Sequence, residues 1–331
     1  MHKQLGTVCV LCFFAGAGVG ARGDDISAEI DDCRLLVIES EDAEPYVSVR
    51  RAFRRELDRL ECGGDAGPDI TRHSVENREG LARRIWRTED ISSYDAIVVQ
   101  GTVAARSIRD LVDPDDGKPV FFGSVTDPVG LGLISGFDRP PSGRFTGVAY
   151  PVDIRERLRF VLDLFPEADS IGLVHTDMPQ STAYNARLRE IMAETEFSDV
   201  SLHTREVPFV PGERGTARSV ALARDKVAEL DSKVDVFLAP NDQMGVTERF
   251  VRMVAEEASS PLIGINKSTA AGASGAVAAL YPSDESAGRT LADQVLAYLS
   301  GEPFDRIFPG RPEAKTVINP DRAGEFGLDG R

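Results

Sequence analysis

Short apolar runs alternate with amphipathic stretches along almost the whole chain. Residues 35–38, 96–99, 120–122, 171–174, 234–238 and 262–265 read as buried strands. Between them, apolar side chains recur at helical spacing. Tyr46, Val49, Phe53, Leu57 and Leu60 share one face, and Ile154, Leu158, Val161, Leu162 and Phe165 another. Tyr184, Leu188, Ile191 and Met192 follow, then Val220, Ala223, Val227 and Leu230. Val246, Phe250, Met253 and Val254 form the next stripe, and Leu291, Val295, Tyr298 and Leu299 the last long one. Strands alternating with such helices predict an α/β fold of parallel sheets covered on both faces.

Two such series are present, so the chain is expected to form two Rossmann-like lobes joined by a hinge. Residues 30–147 with 282–308 are assigned to lobe I. Residues 148–281 with 309–331 are assigned to lobe II. The stretch Phe145-Thr146-Gly147-Val148-Ala149 is expected to carry the chain across, and the Pro282 region to carry it back. The helix at Leu291 would then sit on lobe I, and strand-like Thr316-Val317-Ile318 would return to lobe II.

Residues 1–23 read as a signal peptide, with Lys3, an apolar core and a Val19-Gly20-Ala21 cleavage site. Export to the periplasm follows as the expected localisation. Cleavage would leave Cys33 and Cys62, and an even pair in an exported protein predicts one disulfide. The helix after residue 38 returns antiparallel to its strand, which brings its end beside the strand's start. Two free thiols are the alternative.

Composition narrows the function. The 331 residues are 42% hydrophobic and 28% charged, as in an ordinary globular chain. A net charge of −16 argues against nucleic acid or an anionic membrane surface as the partner. His2, His73, His175 and His203 show no metal-ligand spacing, and no GxSxG elbow, P-loop or HExxH motif occurs. The expectation is no enzyme, no catalytic residue, no metal and no cofactor.

The clearest local signal is the apolar strand that runs into Gly123-Ser124-Val125-Thr126-Asp127-Pro128. Thr126-Asp127 before a proline reads as an N-cap opening a helix. Open α/β sheets bind ligands at such carboxyl ends. Five loops are placed there: Gln100-Gly101-Thr102, Val125-Thr126-Asp127, Thr176-Asp177, Asn241-Asp242-Gln243 and Asn266-Lys267-Ser268. Each is expected to open a helix, whose free N–H groups suit a carboxylate. Their aspartates suit an ammonium group. The candidate ligand-binding residues are Gly101, Thr102, Thr126, Asp127, Thr176, Asp177, Asn241, Asp242, Asn266 and Tyr281. Capping alone would also account for Thr126, Asp127, Asp177 and Asn241.

Several segments together resemble the extracytoplasmic substrate-binding proteins of ABC importers, of the type associated with tryptophan and tyrosine uptake. They are Val125-Thr126-Asp127-Pro128-Val129, Thr146-Gly147-Val148, Ile171-Gly172-Leu173-Val174, Asp235 to Asp242, Gly275 to Leu280, and Leu299-Ser300-Gly301-Glu302-Pro303. Their order spans nearly all of the chain after the leader. The resemblance implies a two-lobed, periplasmic-binding-protein type I-like fold that closes on ligand. It also implies a small-molecule solute, an amino acid or related compound with aromatic ones among the candidates, and an inner-membrane ABC permease as partner. A monomer is expected.

Three segments depart from the resemblance. Residues 40–45 are unusually acidic. The loop 175–180 lacks the usual asparagine. Pro282-Ser283-Asp284 replaces a stretch that often carries aromatic residues. All three lie where ligand contact is expected, which leaves the aromatic assignment open. An exported ligand-sensing module is the second function class. An α/β enzyme using Asp127 and Asp242 is the third, and it lacks a recognisable nucleophile or base.

Overall fold

The computed structural model describes residues 33–328, apart from 116, 142, 211 and 212. The expected signal peptide lies outside the described residues. The first sheet is all parallel. It contains β1 (Arg34–Glu39), β2 (Asp69–Ser74), β3 (Ala96–Gln100), β4 (Val120–Val125) and β5 (Phe145–Ala149), in the order β2-β1-β3-β4-β5. Its central strands are buried on both sides, because helices cover both faces.

On one face pack α1 (Tyr46–Arg59) and α8 (Asp284–Leu299), through Val49, Phe53, Leu57, Leu291 and Val295. On the other pack α2 (Glu79–Thr88) and α3 (Thr102–Arg109). The last long helix therefore joins the first sheet, as its place in the chain predicts. It approaches α1 so closely that a Cβ at Gly288 would lie 2.5 Å from the Ala52 Cβ. Only glycine fits there.

The second sheet holds β6 (Ser170–Thr176), β7 (Ser201–Val207), β8 (Val236–Leu238), β9 (Leu262–Gly264), β10 (Ala278–Pro282) and β11 (Ala314–Ile318). Its order is β11-β10-β9-β8-β6-β7, with β11 alone antiparallel. One face carries α4 (Ile154–Leu164) and α5 (Pro179–Met192), and the other α6 (Glu213–Asp231) and α7 (Glu248–Glu257).

Two strands were not expected, and three expectations need correction. β2 and β7 are edge strands with half-exposed polar side chains, so they show no apolar run. β5 stays in the first sheet beside β4, and the crossing follows it at Tyr150. α7 begins only at Glu248, with the Thr247 hydroxyl accepting from the Phe250 N–H, so Val246 lies before the helix. No α-helix follows Pro128. The Asp127 carboxylate accepts the Gly130 N–H at 2.8 Å, Gly132 takes φ +67°, and the chain curls so that Leu133 and Ile134 both donate to the Pro128 carbonyl.

Cys33 and Cys62 are joined in a disulfide at the amino end of the first sheet. Three chain segments cross between the lobes, after β5, after β10 and before β11. They are stitched together. Ala149 donates to the Gly310 carbonyl, Gly310 to that of Gly147, and Ser283 to that of Glu313.

Candidate functional site

The carboxyl ends of both sheets lie beside these crossings, where open α/β sheets hold ligands. The two ends differ in how their polar groups are used.

On lobe II, Asp242 is buried and saturated. One carboxylate oxygen accepts the Thr176 N–H at 2.9 Å, the Thr176 hydroxyl at 2.9 Å and the Ser181 hydroxyl at 3.3 Å. The other accepts the N–H groups of Met244 and Gly245, each at 2.9 Å. The residue ties the end of β6 and the start of α5 to the loop after β8. Asp177 accepts the Phe209 N–H at 2.7 Å rather than capping α5. Asn266 accepts from the Thr269 N–H and donates to the Val246 carbonyl, fixing a short 3-10 turn. Asn241 lies in the turn before α7, half-buried, and Tyr281 packs from β10 onto the apolar layer under α6 and α7.

On lobe I, Gly101 takes φ +89° at the start of α3, and a Cβ there would lie 2.4 Å from the Ser40 hydroxyl. The glycine lets β3 turn past Ser40 and Tyr46. Thr102 accepts the Thr126 N–H at 3.2 Å, tying the loops after β3 and β4 together. Of the five loops expected to open α-helices, those at Gly101 and Asp177 do so. The loop at Asn266 opens the 3-10 turn, and those at Asp127 and Asn241 form turns.

Other residues on this end were not among the candidates, and they carry its unspent polarity. Gln100 is fully buried, and neither atom of its amide has a partner. Its side chain lies over Gly123, where Leu291 of α8 also packs. Ser124 is 5% exposed, its hydroxyl is unpartnered, and its backbone holds φ +54° at a break in the β4–β5 register. A left-handed serine at a strand end is strained, and such strain concentrates at ligand sites.

Above them stand the first residues of α1 and α8. Asp284 has one carboxylate oxygen buried without a partner, and burial followed by the Glu44 charge pushes its carboxyl up to about 6. Burial pushes the half-buried Tyr46 phenol up to about 12, with the Glu41 charge adding to it. Tyr150, the first residue after β5, is raised by burial and then by Asp284, Tyr46 and Glu44. Asp284 and Glu44 thus both act on Tyr150, and Glu44 opposes the ionisation of Asp284.

The acids of residues 40–45 are not equivalent. Asp42 pairs with Arg72 at 2.7 Å and Arg50 at 3.1 Å, and Glu41 accepts from Asn77 at 3.0 Å. Glu44 accepts the Ser48 N–H and, among the described residues, pairs with no basic side chain. The departures at residues 40–45 and 282–284 were the sequence signal for this cluster. The chain order placed both segments on lobe I without indicating that α8 packs against α1.

Arg311, on the crossing before β11, completes the surroundings. Its guanidinium lies 3.9 Å from the centroid of the Phe137 ring and pairs with Asp153 of lobe II at 3.4 Å. Burial lowers its pKa, and Asp153, Tyr184 and Asp127 oppose that shift. Arg311 follows Gly310 as Tyr150 follows Ala149, so the hydrogen-bonded pair sets both side chains at the hinge. Asn185 of α5 is also buried with both amide atoms unpartnered.

A separate hollow of about 530 Å³ runs between α6 and α7, lined by Arg224, Arg252 and Glu256. It is a groove on the flank of lobe II, away from the strand ends, and Arg224 spends its charge there on Glu256 and Glu257. No group of three or more His, Cys, Asp and Glu side chains suited to a metal occurs among the described residues. None of the described helices is long and apolar enough to cross a membrane.

Comparison with known proteins agrees with this architecture. The family model described as ABC transporter substrate binding protein matches residues 72–329. A tyrosine-binding protein of Clostridioides difficile is 25% identical over 205 residues, 61% of this chain but only 55% of that relative's length. Among solved structures, the ABC domain in complex with L-Trp from Streptococcus pneumonia superposes with a TM-score of 0.66 at 19% identity, over 89% of this chain and 95% of that one. A ligand-free, open substrate-binding protein with adhesive properties from Clostridium difficile gives 0.70 at 16% identity, over 90% and 96%.

Proposed function

The chain belongs to the ABC transporter substrate-binding proteins, and from that premise we propose that it captures an amino acid or a closely related compound between its lobes for delivery to an ABC permease. Proteins of this family are extracytoplasmic, bind small-molecule solutes and are not enzymes. The finer assignment rests on one observation. Fully buried polar groups without partners gather at the carboxyl end of the first sheet, in Gln100, Ser124 and Asp284. A folded chain leaves such groups unpaired at a cost of about 1–3 kcal/mol each, which a ligand that bonds to them recovers.

Arg311 offers a cationic partner for a carboxylate, and Asp284 and Glu44 offer anionic partners for an ammonium. Both ends of a zwitterion are provided for beside one hinge. The tyrosine-binding relative and the tryptophan-bound neighbour make aromatic amino acids the first candidates. In this reading Gly101, Thr102, Thr126 and Asp127 form the lobe I wall. Thr176, Asp177, Asn241, Asp242, Asn266 and Tyr281 shape the opposing wall, several of them by holding loops rather than by touching solute. Residues 1–23 would direct export, and the hinge would close lobe on lobe around the bound molecule.

Thermal denaturation of the full chain with each of the twenty amino acids tests the proposal. A ligand at a hundredfold excess over its Kd stabilises the folded state by about 2.7 kcal/mol, a rise of several degrees. If no amino acid raises the transition, the amino-acid assignment is wrong.

A further inference from the structure

We propose that Arg311 is an interlobe clamp: its guanidinium, seated on the Phe137 ring of lobe I and paired with Asp153 of lobe II, sets the angle at which the two lobes stand. Phe137 and Asp153 are then positioning residues that act through Arg311. The inference goes beyond the function proposed above, since it needs two lobes and a hinge but no particular solute.

The first observation is where Arg311 stands. Gly310 is held on lobe I, because its carbonyl accepts the Ala149 N–H at 3.0 Å and its own N–H donates to the Gly147 carbonyl at 2.8 Å. Glu313 is held by Ser283, whose N–H its carbonyl accepts at 2.8 Å, and β11 begins one residue later. Residues 311 and 312 alone lie between these two fixed points. On the neighbouring crossing, Tyr150 donates to the Val125 carbonyl of lobe I at 3.0 Å, and Asp153 caps α4 of lobe II by accepting the Arg155 N–H at 2.9 Å. Arg311 is thus the first residue past lobe I on one crossing, and Asp153 the last before lobe II on another. Their pair, at 3.4 Å, runs across the hinge. Other arginine pairs stay inside one lobe, as Arg72 does with Asp42 and Arg155 with Glu194.

The second observation is the contact itself. Phe137 lies in the loop between β4 and β5 and packs on the apolar layer that holds Leu133 and Ile134, so it is rooted in lobe I. The guanidinium carbon of Arg311 lies 3.9 Å from its ring centroid, well inside the range of a cation–π contact. Asp153 gives one oxygen to the α4 cap and the other to Arg311. One planar cation is therefore held by its face from lobe I and by its edge from lobe II, which suits a guanidinium and not a lysine ammonium. When α4 turns relative to the first sheet, the cation must leave the ring, leave the carboxylate or rearrange its own side chain to follow.

Neither contact alone explains the arrangement. Arg311 and Asp153 are 35% and 31% exposed, so their pair by itself adds little to folding. A ring kept only for packing has no need of a cation on its face. Together the two contacts should bias the balance between lobe arrangements by about three- to thirtyfold. A bias of that size scales the apparent affinity of any solute that requires a different angle.

The test uses the full chain with Cys9→Ser and Cys12→Ser and no added solute. Spin labels go on Arg87→Cys in α2 and Leu222→Cys in α6, both exposed, while Cys33 and Cys62 stay joined in their disulfide. Double electron–electron resonance then reads the interlobe distance distribution. Arg311→Gln should move the populations by about three- to thirtyfold. Phe137→Leu, which keeps apolar bulk but removes the ring, should move them the same way. Phe137→Tyr, which keeps the ring, should leave them as in the parent chain. Asp153→Asn retains a capping oxygen and should move them less than Arg311→Gln does. Phe137→Leu added to Arg311→Gln should do no more than Arg311→Gln alone.

The clamp is overturned if Arg311→Gln leaves the populations within twofold, if Phe137→Tyr moves them as far as Phe137→Leu, or if the Phe137→Leu effect persists in full on top of Arg311→Gln. Should Phe137→Leu fail to fold, Arg311→Gln at its partly exposed position decides alone. The two readings fail separately. A silent amino-acid panel leaves the clamp standing, and unchanged distances leave amino-acid capture standing.

Discussion

Asp242 and Asp284 are both partly or wholly buried carboxylates at the carboxyl end of a sheet, and they are built for opposite purposes. Asp242 receives hydrogen bonds from Thr176, Ser181, Met244 and Gly245, so both of its oxygens are occupied by the protein itself. Asp284 has a buried oxygen without a donor and a neighbouring Glu44 that opposes its ionisation. A saturated carboxylate holds a loop. An unsaturated one, in the proposed reading, is held ready for the solute. Position at a strand end does not separate the two, whereas the count of donors does.

The largest expected effect tests the saturated member. Asp242→Ala leaves five donors, at the end of β6, the start of α5 and the loop after β8, without an acceptor, which should cost about 3–5 kcal/mol of folding stability. Urea denaturation of the parent chain and the variant measures it. A loss below about 1 kcal/mol would show that water replaces the carboxylate there, and would erase the contrast with Asp284.

The next tests the opposite end of lobe I. The Cys33–Cys62 bridge closes a loop with a sequence separation of 29, for which loop entropy predicts about 3–4 kcal/mol of stabilisation. It lies at the amino end of the sheet, away from Asp284. Replacing both cysteines by alanine should therefore lower the denaturation midpoint strongly while solute affinity stays within about twofold, since the change acts mainly on the unfolded chain. A large fall in affinity would mean that the strand ends are not independent and that lobe I transmits strain along β1.

How much of this was legible in the sequence depends on how local the signal is. Residues 120–122 announced a strand because burial on both faces demands an unbroken apolar run. β2 and β7 gave no such run, because an edge strand has one neighbour and wet side chains. Thr126-Asp127-Pro128 satisfied every local rule for a helix start, yet Gly130 and Gly132 let the chain curl back on Pro128 instead. Local capping rules cannot weigh that competition. Asp242 was correctly placed at a strand end, but its donors come from residues more than sixty positions earlier as well as from its own turn. Glu44 and Asp284 were each visible as a departure from the family's usual pattern. The return of α8 to lobe I followed from the chain order, but its packing against α1 is a tertiary event with no local mark beyond Gly288.

The smallest effect is the most diagnostic, because it reverses the usual sign of a mutation. The Asp284 carboxyl is raised from 3.8 to about 6 in the folded chain, by burial first and then by the Glu44 charge, with Tyr150 as its other titratable neighbour. The folded state holds the proton more tightly than the unfolded state does. The stability this group supplies is therefore complete below about pH 4 and is lost as pH rises through about 6. Asp284→Asn cannot lose a proton, so it should match the parent chain near pH 4 and exceed it at pH 7. After allowance for solvent screening of a partly exposed group, the gain is on the order of 1 kcal/mol. Thermal melts of both proteins between pH 4 and 7 read the difference directly. A residue kept for packing would be destabilised by the change at every pH, whereas one kept for a ligand becomes more stable as it stops binding. Adding an amino acid that stabilises the parent chain should flatten its loss of stability above pH 6, because the bound ammonium supplies the missing counter-ion and pulls the carboxyl back toward its ordinary range.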